Sequence, residues 1–281
     1  MAPLKIILAS IILAINTVLV FTLMMPFTLI KLLLPLRPVR KLCDTALNAI
    51  ASTWISVNSW WIQLLNGTKW HITGIDNLDP KGWYLVMSNH QSWVDIVALQ
   101  KVFNHRIPFL KFFIKHELIY VPVIGLAWWA LDFPFMKRRG GASVQQDLET
   151  ARKACEKFRV VPTSIISFAE GTRFTAEKHA AQGVPYQHLL KPKSGGISIA
   201  METMGNMFTH ILDVTIAYPQ GVPTFVDLMA GRCQEIVVHV QALPVPDSLL
   251  PSPDKPISPL AVQRWVTTRW KEKDALLDTL L

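Results

Sequence analysis

The sequence predicts an α/β fold, a mixed sheet flanked by helices, behind an N-terminal helical membrane anchor. Two observations point there. Apolar, β-branched runs alternate with stretches of helical spacing from residue 69 onward. The apolar excess is also concentrated at the start, where no charged residue occurs from Ile6 to Ile30. With 281 residues, 51% of them hydrophobic and only 17% charged, the chain has room for one large core plus an anchor but not for two full domains. The mean hydropathy of +0.30 fits the same division.

The anchor comes first. As a helix, Ile6 to Ile30 would be about 37 Å long, enough for a bilayer core. The run is too long for a secretory leader and lacks a small-residue cleavage site, so it is expected to be retained. It ends in Lys31, Arg37, Arg40 and Lys41, against Lys5 alone before it. That asymmetry favours an inner or plasma membrane with the rest of the chain cytoplasmic. Pro26, Asn16 and a second apolar stretch, Ala46 to Leu65 with Trp54, Trp60 and Trp61, fit a pair of helices that could dip into one leaflet instead of crossing. Both arrangements remain open. Residues 1–66 are assigned to the anchor and 67–281 to a single domain.

Within that domain, strands are expected at Lys69 to Thr73, Trp83 to Met87, Phe133 to Met136, Thr163 to Phe168, His210 to Ala217 and Glu235 to Val240. Helices are expected near Trp93 to Val102, Val144 to Phe158 and Gly195 to Met204. Prolines cluster over residues 244–259, marking a linker or surface loop. The tail from Leu260, with Trp265, Trp270, Leu276 and Leu277, reads as a final helix.

A net charge of +8 suits an anionic membrane face or a polyanionic substrate. Nucleic acid is disfavoured, because the basic residues are dispersed and no recognition motif accompanies them. Cys43, Cys155 and Cys233 are isolated and lack metal-ligand spacing, so neither disulfides nor a metal are expected.

The chemistry-bearing segment is Ser88-Asn89-His90-Gln91-Ser92-Trp93-Val94-Asp95. A histidine moves protons near neutral pH, and a carboxylate can fix its tautomer and stabilise the imidazolium. His71 and Asp76 have the same separation, but on a strand the two would stand roughly 16 Å apart. Around His90 an apolar run stops and a helix begins, with Ser92 as the expected N-cap and Asp95 in the first turn. A chain that turns there can bring His90 and Asp95 together. The alternative makes Asp95 a helix-start carboxylate and His90 a loop residue. Downstream, Ala169-Glu170-Gly171-Thr172-Arg173 follows a strand and offers a glycine for close approach and an arginine fork suited to phosphate. Lys137-Arg138-Arg139 forms a basic patch, and Lys115 sits in Ile114-Lys115-His116-Glu117-Leu118.

Taken together, these blocks resemble the lysophospholipid acyltransferases, typified by 1-acylglycerol-3-phosphate acyltransferase, from about Lys69 to the tail. The match is carried by His90-x4-Asp95, by Lys115-x-Glu117-Leu118 with Pro122 and Gly125, by Phe135-Met136-Lys137-Arg138, and by Glu170-Gly171-Thr172-Arg173. A given tetrapeptide arises by chance in about one chain of this length in several hundred, so its position after H-x4-D is a specific signal. The continuation Phe174-Thr175, Leu190-Lys191-Pro192-Lys193 and Lys273-Asp274 is similar to the branch with lysocardiolipin-type and bacterial enzymes. Ala169 stands where proline is commoner, and the fourth block is represented only by Val214 to Pro219, which reads as a core strand.

The resemblance implies a glycerolphosphate acyltransferase-like fold and transfer of an acyl group from a thioester to the sn-2 hydroxyl of a lysophospholipid, foremost lysophosphatidic acid to give phosphatidic acid. His90 would be the general base and Asp95 its orienting partner, with direct attack, no acyl-enzyme, no metal and no cofactor. Lys115, Arg138 and Arg173 would hold the phosphate, Glu170 would shape the loop or touch the glycerol, and Gly171 and Thr172 would complete the substrate-binding set. The donor would be acyl-CoA or acyl-carrier protein, between which net charge does not choose, and Trp128, Trp129 and Phe133 are candidate linings of an acyl tunnel. Two rivals differ in class. Gly196-Ile197-Ser198-Ile199-Ala200 approximates a serine-hydrolase elbow, and a membrane adaptor with a dead site would keep the fold without turnover.

Overall fold

A computed structural model describes residues 2–137, 143–251 and 257–281. It opens with a helical hairpin, α1 (Ala2–Leu33) and α2 (Arg37–Asn66), turned at Pro35 and closed by Gly67 in the left-handed conformation. The domain follows as β1 (Lys69–Thr73), β2 (Tyr84–Ser88), α3 (Val94–Phe103), β3 (Leu110–Phe112), β4 (Ile114–Lys115), α4 (Ile124–Ala130) and β5 (Phe135–Met136). Then come α5 (Ser143–Phe158), β6 (Ser164–Phe168), α6 (Ala176–Gln182), α7 (Gly195–Met204), β7 (His210–Ala217), α8 (Phe225–Ala230), β8 (Glu235–Leu243) and α9 (Pro259–Leu280).

Six strands form one sheet in the order β1-β8-β7-β2-β6-β3, and β4 pairs with β5 beside it. The sheet is mixed: β7 and β8 are antiparallel, the other pairings parallel. Central β2 is buried at all five positions, as a strand covered on both faces must be. One face packs under α1, α2, α3 and α8 through Trp61, Val94, Leu99 and Leu228, the other under α5, α7 and α9 through Phe158, Met201 and Trp270. From β2 the chain crosses to β3 on one side, and from β6 it crosses back over β2 to β7 on the other, so the connections diverge at the carboxyl ends of these neighbouring strands. Open α/β sheets form their binding crevices at such a point.

The hairpin lies along the domain. Near its start, the Ser10 hydroxyl approaches Met229 Sδ at 3.8 Å. At its far end Lys31 pairs with Asp44 at 2.6 Å and also with Asp132, which Arg40 reaches at 3.0 Å. Between them Asn16 donates to the Trp54 carbonyl and to Asn58 Oδ1. Leu4, Ile11, Leu19 and Leu29, on the opposite side of α1, are exposed. By length and composition α1 can cross a bilayer.

Candidate active site

At the carboxyl end of β2, Asn89 turns the chain by bonding both the N–H and the carbonyl of Ile216, each at 2.9 Å. This side chain continues the β2–β7 ladder where the backbone departs, and it aims His90 back across the sheet. His90 Nδ1 lies 2.8 Å from Asp95 Oδ2. The same oxygen accepts the N–H groups of Gln91 at 2.6 Å and Ser92 at 2.8 Å. The expected partners therefore meet, and the cap is inverted. Asp95 gathers the turn's amides, Trp93 is the N-cap, and Ser92 Oγ accepts only the Val94 N–H at 3.1 Å while donating to the Pro223 carbonyl.

Asp95 has a second partner that spacing did not reveal. Tyr218 donates its hydroxyl to Asp95 Oδ1 at 2.5 Å. Burial, then the Asp95 charge, hold the phenol well above its ordinary value of 10, so it remains a donor. The available signal was a hydroxyl-bearing aromatic at the carboxyl end of β7, just before Pro219; the segment reads as core strand because its other residues are apolar. Four hydrogen-bonding partners on one fully buried carboxylate fix its position. The His90 ring stacks on Phe168 at 4.0 Å and lines the cavity; with Nδ1 engaged by Asp95, Nε2 is the ring nitrogen left for a ligand. His71 instead pairs with Glu235 at 3.0 Å and is half-exposed, away from Asp76.

The loop after β6 lies opposite. Gly171 takes a φ of 68°, where a side chain would be strained. Glu170 is not on the cavity: it is 1% exposed, accepting the His90 N–H at 3.0 Å and the Leu190 N–H at 3.3 Å. Of the two expected roles, shaping the loop or touching the glycerol, this geometry fits the first, because the side chain accepts from backbone donors of two loops and ties them together. Burial pushes it up to about 8, against those two bonds. Thr172 and Arg173 both line the cavity; Thr172 Oγ1 accepts from Lys178 at 2.9 Å, and the Arg173 guanidinium lies over Trp93 at 5.1 Å. Lys115 is on the rim, 3.8 Å from Glu117. Arg138 lies outside the described residues.

One cavity of about 1280 Å³ joins His90, Thr172, Arg173 and Lys115 to an apolar chamber under the hairpin. An aromatic series leads inward, from His90 over Phe168 to Phe112 and on to Phe133. Trp128 and Phe133 line the chamber with Val20, Met24, Ala51 and Trp54, whereas Trp129 faces outward. Ser198 lies in the first turn of α7, its N–H bonded to Ser194, with a loop and no strand before it. That context is not a nucleophile elbow. Among the described residues no group of His, Cys, Asp and Glu could hold a metal ion.

Known proteins resemble this chain in sequence and in fold. The acyltransferase family model matches residues 69–219. Human 1-acyl-sn-glycerol-3-phosphate acyltransferase delta is 27% identical over 94% of this chain and 68% of its own length. Lysocardiolipin acyltransferase 1 of Gallus gallus is 27% identical over 81% of this chain and 61% of its own. In fold, the chain is similar to the crystal structure of the 1-acyl-sn-glycerophosphate acyltransferase PlsC from Thermotoga maritima, with a TM-score of 0.56, 17% identity and 97% of each chain covered. The family model spans more than half of the sequence and includes the part-buried His90 and the buried Asp95, and this chain belongs to the acyltransferase family.

Proposed function

We propose that this enzyme transfers a fatty acyl group from a thioester to the sn-2 hydroxyl of a lysophospholipid, with lysophosphatidic acid as the first acceptor to test. The observation that carries the reading is the His90–Asp95 pair opening onto a cavity that is basic at its mouth and apolar within. His90 Nε2 takes the proton of the acceptor hydroxyl as its oxygen attacks the thioester carbonyl. The tetrahedral intermediate then expels the thiolate, which leaves protonated by the imidazolium. Asp95 holds the ring with Nδ1 protonated, and a base so placed supplies about two to four orders of magnitude in rate. Arg173 and Lys115 hold the acceptor phosphate, Gly171 and Thr172 shape that loop, and Arg138 joins the basic set. The acyl chain follows the aromatic series into the chamber. Acyl-CoA and acyl-carrier protein are both admissible donors.

The hairpin 1–66 carries the domain 67–281 on a membrane where acceptor and product reside. Contacts at both ends of α1 with one domain support an arrangement in one leaflet, with the outward leucines and isoleucines in lipid. Purified protein assayed against a panel of lysolipids with both donor types tests the reaction. His90→Ala should abolish transfer and His71→Ala should spare it. Equal loss in both folded variants, or no turnover of any thioester, would leave a lipid-binding adaptor as the better account.

A further inference from the structure

We propose that the start of α7 is a second phosphate-binding site, formed by the Ser167 hydroxyl, the backbone N–H groups of Gly195 and Gly196 and the Lys193 ammonium, for a phosphate ester of one of the two substrates. Ser167, Lys193, Gly195 and Gly196 line the same cavity as His90. The ten-residue helix α7 begins with no side-chain cap, because Ser194 turns its hydroxyl to Gln263 at 2.8 Å. Its first amides are therefore open donors at the positive end of a helix dipole.

The independent observation is Ser167. It is 8% exposed and its hydroxyl has no hydrogen-bond partner among the described residues, although it borders the cavity. A hydroxyl that opens onto the cavity and spends its donor and acceptor on no protein group is available to a ligand there. It aims at the helix start: a Cβ built on Gly196 would stand 3.4 Å from Ser167 Oγ, so the glycine keeps this approach open. Lys193 lies across Gly171, where a Cβ would meet its Nζ at 3.5 Å, and it forms no ion pair among the described residues. Hydroxyl, amides and ammonium thus converge on a wall that Arg173, stacked on Trp93, does not occupy.

Both substrates of the reaction proposed above bear a phosphate, one on the pantetheine arm shared by both donor types and one on the lipid headgroup. The identity of the ester rests on that reading; the existence of the site does not. The test is therefore equilibrium binding without turnover. The full chain in detergent is titrated with 4′-phosphopantetheine and with glycerol 3-phosphate, using pantetheine and glycerol as controls. At least one phosphate ester should bind more tightly than its control, and Lys193→Met should weaken it about tenfold, the loss of one charge-assisted contact. Ser167→Ala should weaken it severalfold.

Gly195→Asp separates site from scaffold. The position has open space around its Cβ, and a carboxylate in the first turn favours the helix, so the variant should melt no lower than wild type while losing phosphate binding. A preference for phosphopantetheine assigns the site to the donor, a preference for glycerol 3-phosphate assigns it to the acceptor, and both support the proposal. If phosphate binding is unchanged in all three variants, or no phosphate-dependent binding occurs, the proposal is overturned whatever the enzyme's turnover.

Discussion

Asp95 accepts from two backbone amides, an imidazole and a phenol, so each loss of a donor has a separable consequence. The amides set the turn, and Tyr218 restrains the far oxygen. Tyr218→Phe removes that restraint with almost no change in volume, so we expect kcat to fall about tenfold while KM for acceptor and donor holds. This is the scale of one hydrogen bond to a charged group. Steady-state kinetics on the folded variant measures it, and an unaltered kcat would make the tyrosine mere packing. Glu170 predicts a pH effect. Burial raises it from 4.5 to about 8, so between those values the folded chain holds a proton that the unfolded chain has released. Its contribution to stability is complete below about 4.5 and is lost as pH rises through about 8. Glu170→Gln is neutral at every pH, so its melting temperature should decline less between pH 5 and 8 than that of wild type. Parallel slopes would mean that the carboxylate is ionised throughout.

At the scale of elements, the same residues explain what the sequence revealed and what it withheld. His210 to Ala217 and Gly195 to Met204 are found at their expected bounds, since a buried β-branched run and a helical apolar stripe are patterns set by local chemistry. Strands β3 and β4 are three and two residues long, too short to carry a period, and of the strand expected at Phe133 to Met136 only Phe135–Met136 is paired, while Phe133 turns to meet Phe109 and Phe112. The pairing of His90 with Asp95 was legible because both lie within one turn; the Tyr218 contact and the burial of Glu170 were not, because each depends on a loop from another strand. The chamber is a property of elements, made where Val20 and Met24 of α1 and Ala51 of α2 close over Phe133. Filling it at Ala51 should shorten the acyl chain accepted. Ala51→Phe is expected to cut kcat/KM for long-chain thioesters while leaving short ones at wild-type rates, as a donor chain-length series would show. Equal loss at all lengths would place the chain elsewhere.

For the whole molecule, the membrane arrangement decides how a lipid reaches His90. A crossing α1 would put its two ends on opposite faces, some 45 Å apart for a helix of this length. In this fold both ends are held by the domain: Ser10 lies against α8 at one, while at the other Lys31 and Arg40 close on Asp132. The exposed apolar side of α1 continues through Leu34, Leu36 and Leu42 to Trp60 and Leu64 of α2, a surface that suits insertion of the hairpin on its side. Cysteines placed at Ala2 and Leu36, in a background where the buried Cys43, Cys155 and Cys233 remain unreactive, report the topology. When the protein is added to sealed, preformed vesicles, a membrane-impermeant maleimide should modify both positions from outside to the same extent. Protection of one and labelling of the other would establish a crossing helix. In that case the contacts of Lys31 with Asp132 and of Ser10 with Met229 could not coexist in the bilayer, and the chamber under the hairpin would have to open.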